Sequence, residues 1–490
     1  MSVEPHVLDT PAAGGLIIRG GLLRLGGYVV AVGLSLIPIV LLTRHLGPAL
    51  FSAYTTVISL VSVVSMVTDI GMSNLGTREF AVREGAEREQ LMRDLLGLRV
   101  VLTLLGMVCA TLFAVLAGYD AALLAGTVLA SLGTIALVFQ HTFTIPLAAD
   151  LRLGTLTVLE LGRQVFTVVA IVALVAVGAG VLPLLAVSLA VYVPLVPATA
   201  ALSRGRISAR LELRPRNWLA LLRLTVSFSL ATAVGVIYVY TAQIITSLAA
   251  SAHQSGLFAL SFRVFVVLVT VPGLLAGNAL PLLARSARDD RERLAYAMQR
   301  IFEVSLILGV AAALGLLAGA PFVVAVVGGP KFAGAVAVLR IQGVAMIASF
   351  LVAGWGFALL SIKRYGALLA VNAAALLVSC TLTLLLASAD GARGAAVATL
   401  CGESTLALGY LLVLVRGHPE LRPRVAILPK VAAAAAPALA LLLALGSLPS
   451  VALTAIVLAA YGLVILLTRA TPQELTELIP RLPRSRPASR

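Results

Sequence analysis

From residue 25 to residue 468 the chain alternates long apolar runs with short polar breaks. Each run is close to the ~20 residues that a helix needs to cross about 30 Å of hydrocarbon. The runs predict helices over 25–43, 49–69, 98–118, 121–145, 157–178 and 182–202, and again over 224–250, 256–283, 299–319, 335–360, 365–387 and 394–415. Two more follow at 429–445 and 451–468. The expected fold is therefore an all-α polytopic membrane protein with 14 transmembrane helices, two six-helix bundles and a C-terminal helix pair.

The first hairpin is repeated. Leu22-Leu23-Arg24-Leu25 returns 199 residues later as Leu221-Leu222-Arg223-Leu224. In each copy a long apolar helix follows, then a polar break (Arg44 and His45; 252–256), then a second apolar helix. Leu50-Phe51-Ser52 and Leu257-Phe258-Ala259 open those second helices. A duplicated membrane carrier has its site between the two repeats. The expected domains are 1–210 and 211–420, each a six-helix bundle, with 421–490 an extra transmembrane hairpin and a basic cytoplasmic tail. Six crossings give both halves the same orientation. The hairpin, which has no charged residue beyond Lys430 until its end, is expected outside the bundles.

Composition agrees with the pattern. The chain is 60% hydrophobic and only 12% charged, with mean hydropathy +1.06, against roughly 25% charged in a soluble domain. A net charge of +15 in so apolar a chain reads as a topology signal, and no nucleic-acid partner is expected. With the N-terminus inside, 31 of the 36 basic residues fall in inside segments and four outside, while Arg263 lies within a helix. The positive-inside rule then puts both termini in the cytoplasm. Residues 1–15 have no basic region ahead of an apolar one, so the first helix reads as an uncleaved anchor. Cys109, Cys380 and Cys401 all fall in apolar runs and form neither a disulfide frame nor a metal site. Inside, 73–96 alternates Arg78, Arg83 and Arg93 with Glu79, Glu84, Glu87 and Glu89, the spacing of a helix lying at the membrane surface among lipid headgroups.

Several stretches in order resemble the bacterial polysaccharide-biosynthesis flippases, the O-antigen (Wzx-type) translocases of the multidrug/oligosaccharidyl-lipid/polysaccharide exporter superfamily. These are Arg24 with Thr43-Arg44-His45-Leu46-Gly47 and Tyr54, Asp69-Ile70-Gly71 with Arg78, and Val271-Pro272 with Ala279-Leu280-Pro281. Gly328-Gly329-Pro330-Lys331-Phe332 and Gly394-Ala395-Ala396 with Glu403 complete the set, over residues 15–420. The resemblance implies a V-shaped, MATE-like pair of bundles around a central cavity that moves a polyprenyl-diphosphate-linked oligosaccharide to the outer leaflet. Where many relatives carry an acidic residue in the seventh helix, this chain has Gln243.

Such a substrate brings a diphosphate and many hydroxyls across hydrocarbon, which calls for a wet, cationic cavity. Arginine suits it, since its fork binds phosphate oxygens in pairs and it stays charged when desolvated. Arg263, flanked by Phe262, Val264 and Phe265, is the leading candidate, snorkelling being its bland alternative. Arg24 sits at the inner mouth of the first helix, as cavity cation or topology flank. Glu403, near mid-membrane, is a candidate ion partner of Arg263 or proton-coupling group, or else a structural hydrogen-bonding residue. Asp69 pairs with Arg78 or Arg24, or caps a solvated helix end. Tyr238, Tyr240, Gln243, Gln140 and His141 are candidate sugar contacts, or interhelix glue. Glu160 and Arg163, three apart, read as a local ion pair.

No GxxxxGK[ST] loop is present, so ATP does not energise the chain directly; a secondary transporter without cofactor is expected, and no catalytic residue is assigned. Three functions compete: an oligosaccharide flippase, a cation-coupled multidrug exporter, and a membrane polysaccharide polymerase or ligase. The exporter needs acidic cavity residues, and the enzyme needs a large outside loop with a carboxylate or histidine cluster. The flippase reading implies membrane lipids as surroundings, a polymerase and glycosyltransferases as partners, a monomer, and the bacterial cytoplasmic membrane as location.

Overall fold

In hydrocarbon an apolar run satisfies its backbone N–H and C=O groups only by closing into a helix, and the computed structural model of the chain is helical accordingly. It describes residues 12–69, 72–203, 215–468 and 470, with no strand among them. The helices are α1 (Ala12–Asp69), α2 (Met72–Val82), α3 (Gly85–Leu116), α4 (Ala121–Ala149), α5 (Leu153–Ala176), α6 (Val181–Leu185) and α7 (Val187–Leu202). They continue as α8 (Pro215–Ala249), α9 (Ala252–Asp289), α10 (Arg291–Val327), α11 (Ala335–Ser361), α12 (Tyr365–Gly417), α13 (Leu428–Ala444) and α14 (Ser450–Leu467).

Among the described residues, 12 helices are long and apolar enough to cross a membrane. Two of these are each a pair of helices joined across a kink. In α1 the break is Gly47, at φ 69° and ψ 177°, a left-handed angle that glycine adopts without a Cβ clash. The polar Arg44 and His45, expected to be the break, stay helical. In α12 the break is Asp390 and Gly391. The segment 73–96, expected as a surface-lying helix, is helical in two pieces. A short α2 leads into α3, a single helix of 32 residues; Glu79–Arg83 (3.2 Å) closes the end of α2 and Glu89–Arg93 (2.5 Å) a polar turn of α3. The span expected over 182–202 is divided at Ala186 into α6 and α7.

The chain forms two compact units, Met1–Leu260 with Val327–Lys331, and Ser261–Val326 with Phe332–Arg490. A repeat is a matter of sequence order and a compact unit a matter of packing, so α8 and the start of α9 join the first unit although the repeat begins again before them. In this first unit, Met72 and Phe80 of α2 pack on Leu91, Met92, Leu95 and Leu98 of α3 and Ile145 of α4. Leu60 and Val64 of α1 meet Ala110 of α3 and Ile244 of α8. Gly256 in α9 lies so close to the kink that a Cβ there would stand 2.0 Å from the Pro48 carbonyl oxygen.

The second unit is built on α11 packed along α12. Phe302 of α10 stacks on Trp355 of α11, ring centroids 6.1 Å apart. The terminal hairpin docks on α10. Thr454 and Leu458 of α14 fill the space beside Gly319 and Gly315, and the Tyr461 hydroxyl donates to the Ile307 carbonyl at 3.1 Å. Below it, the Gln299 amide clamps the linker, donating to the Arg424 carbonyl (3.2 Å) and accepting from its N–H (2.7 Å).

Candidate functional site

Asp69 ends α1, and its partner is neither Arg78, which is exposed, nor an assignable Arg24, whose side chain lies outside the described residues. The pairing expected from sequence is replaced by one with Arg99. That arginine is 1% exposed. Its Nη2 donates to Asp69 Oδ1 and, at 2.5 Å, to Ser73 Oγ, while Nη1 donates to Thr142 Oγ1 at 2.9 Å. Ser73 in turn donates to Asp69 at 2.9 Å. One guanidinium thus ties α1, α2, α3 and α4 together. By sequence Arg99 stands at the inner edge of the span expected over 98–118. Its setting was the available signal, because Leu98 and Val100 flank it where glutamates accompany Arg83 and Arg93.

Next to this cluster stand His141 of α4 and Glu160 and Arg163 of α5. His141 is exposed and within electrostatic reach of Arg99, Asp69, Glu160 and Arg163. Arg163 grips Glu160 with both Nη2 and, at 3.1 Å, Nε, the ion pair expected from their spacing, and lies within electrostatic reach of Tyr192 of α7. Gln140 is buried on α4. It does not join His141, since neighbours on a helix point about 100° apart.

The seventh-helix candidates also separate. Gln243 is 1% exposed, and its Nε2 lies 3.4 Å from Thr56 Oγ1 and 3.3 Å from Ser255 Oγ. Ser255 accepts from Ser52 at 2.7 Å. This is a buried polar knot joining α1, α8 and α9 beside the kink. Tyr238 is buried on α8 and Tyr240 half-buried.

In the second unit Glu403 is buried, and Ser349 of α11 donates to its Oε2 at 2.7 Å. One helical stretch further, the Tyr410 hydroxyl donates to Asn372 Oδ1 at 2.6 Å. Arg263 is half-buried in α9, beside the stacked rings of Phe262 and Phe265. Among the described residues no hydrogen bond or ion pair reaches Arg263, and none joins it to Glu403. No direct ion pair between Arg263 and Glu403 thus occurs among the described residues, and Glu403 accepts from the Ser349 hydroxyl. No group of three or more metal-ligating residues occurs among the described residues.

This chain matches the family model described as polysaccharide biosynthesis protein over residues 17–287. A search of curated proteins returns no match. Among solved structures, it is similar to the lipid II flippase MurJ in an inward closed conformation, with TM-score 0.74 and 11% identity over 91% of this chain and 99% of that one. It is also similar to an inward-facing MATE-family multidrug resistance transporter, with TM-score 0.67 and 14% identity over 81% and 98%. A transporter of the same superfamily from Pyrococcus furiosus, whose binding pocket is described as reversed in polarity, aligns with TM-score 0.57 and 14% identity over 85% and 98%. At these identities the likeness is one of fold.

Proposed function

The chain belongs to the polysaccharide biosynthesis protein family, and on that premise we propose that it is a flippase carrying a polyprenyl-diphosphate-linked oligosaccharide from the cytoplasmic to the outer leaflet. It is a multi-pass membrane protein of MurJ/MATE-like fold and a transporter, not an enzyme. In this reading it resides in the bacterial cytoplasmic membrane with both termini inside and works as a monomer. Alternating access by the repeat halves 1–210 and 211–420 delivers substrate from glycosyltransferases to a polymerase, while 421–490 is an appended hairpin and tail. Glu403 is the coupling carboxylate.

One observation carries the reading: Arg263 is a guanidinium with no protein partner among the described residues, and the one charged residue in the stretch 254–284 of α9. It stands 11 residues past the start of α9, about 17 Å at 1.5 Å per residue. A charge so placed costs at least ~2.5 kcal/mol in lipid, and a diphosphate offsets that cost with paired, charge-assisted hydrogen bonds. A drug exporter that takes organic cations gains nothing from it. Complementation of a flippase-deficient strain at matched protein levels tests the proposal. Arg263→Ala should abolish transport and Arg263→Lys leave part of it; full activity of the alanine variant overturns the assignment.

A further inference from the structure

The first unit carries charge about 10–15 Å along its helices, on a side of α5 turned away from that helix's exposed apolar stripe. Along α5 the exposed apolar stripe is Val158, Val165, Phe166, Val169 and Val172. At 100° per residue, Glu160 lies roughly 200° and Arg163 roughly 140° from Val158. Both are nonetheless open, with side chains 53% and 25% exposed. On α4 the exposed His141 is nine residues from the exposed Leu132, about 180° away. Depths agree as well. His141 is eight residues before the end of α4 and Glu160 seven after the start of α5, about 12 and 10 Å. Arg163 and Tyr192 each lie ten residues from the neighbouring ends of α5 and α7, about 15 Å.

We infer that this face, His141, Glu160, Arg163 and Tyr192, is a carbohydrate subsite that binds uncharged sugar hydroxyls; the inference rests on the flippase reading above. The reason is charge balance. Arg163 and Glu160 neutralise each other, as Arg99 and Asp69 do beside them, so the face offers no net charge to a diphosphate. It does offer donors and acceptors together. Arg163 spends its Nε and Nη2 on Glu160 and Gln164 and still has Nη1, and each Glu160 oxygen, accepting one bond from Arg163, keeps further acceptor capacity. A sugar hydroxyl, which donates and accepts at once, is the ligand for that combination. The two bonds to Glu160 and a third from Nη2 to Gln164 at 3.2 Å hold the Arg163 fork in place, so little order is lost on binding. Work is divided accordingly: an unpaired arginine takes phosphate, and a balanced pair takes sugar.

The test uses the full-length protein in nanodiscs and two probes with the same polyprenyl diphosphate, one sugar-free and one carrying a single neutral hexose. Glu160→Gln should weaken the hexose lipid about tenfold. It should leave the sugar-free lipid unchanged or bound more tightly, because Arg163 is released as a cation. Tyr192→Phe removes only a hydroxyl and should weaken the hexose lipid alone. Equal loss on both lipids, or no change on either, overturns the subsite. Arg263→Ala should weaken both lipids alike; if it does not, the phosphate assignment falls while the Glu160 comparison still decides the sugar face. Failure of the wild-type protein to bind either lipid overturns both.

Discussion

Ser349 donates its hydroxyl to the buried carboxylate of Glu403 across the α11–α12 contact, at 2.7 Å. Ser349 is 1% exposed and Glu403 7%, so neither group has ready access to water in exchange. Ser349→Ala should lower stability by about 1–3 kcal/mol, the usual cost of stranding a buried polar group. Glu403→Gln keeps an acceptor for the serine and should cost less. Thermal unfolding in detergent measures both, and a larger loss for Glu403→Gln would contradict the pairing. With Glu403 as the proposed coupling carboxylate, the glutamine variant should fold but carry substrate poorly.

Asp69→Ala leaves the 1%-exposed Arg99 without its countercharge and should cost about 3–5 kcal/mol. The double change Asp69→Leu with Arg99→Met removes both charges and should be milder than Asp69→Ala. A double-mutant cycle on unfolding midpoints reads the coupling directly.

Gly256→Ala should destabilise by about 1–3 kcal/mol, since its Cβ would meet the Pro48 carbonyl at 2.0 Å. Gly154 near the start of α5 has open space around it. There alanine should be neutral or add up to about 1 kcal/mol. Parallel melting curves of the two variants separate close approach from ordinary helix propensity.

These sites show what sequence periodicity reveals and what it leaves out. The spans, the hairpin at 429–468 and the Glu160–Arg163 pair follow from local spacing, which a helix converts directly into position. The kink needed one more fact. Arg44 and His45 are polar enough to mark a break, but the backbone bends at Gly47, where φ of 69° is tolerated. Partners far apart in the chain were not legible. Asp69 with Arg99 and Glu403 with Ser349 depend on which helix faces come together, and no local pattern encodes that. Arg99 was hidden by its own charge, because a positive residue near a span end looks like a topology marker.

Tyr461→Phe removes the donor to the Ile307 carbonyl and should cost about 0.5–1.5 kcal/mol. Gln299→Ala frees the Arg424 backbone on both sides. Limited proteolysis should then cut the 417–428 linker faster than in the wild type, with little change in the global melting point.

The docking of α14 on α10 also sets an order of manufacture. Tyr461 and the carbonyl it reaches are 154 residues apart, which at ~5–20 residues per second is roughly 8–31 s of translation. Throughout that interval the small-residue flank at Gly315 and Gly319 has no Thr454 or Leu458 beside it and must be shielded by lipid or by the insertion machinery. A ribosome stalled before residue 450 therefore releases a chain whose tenth helix still has an unfilled side, a defect that membrane quality control can recognise.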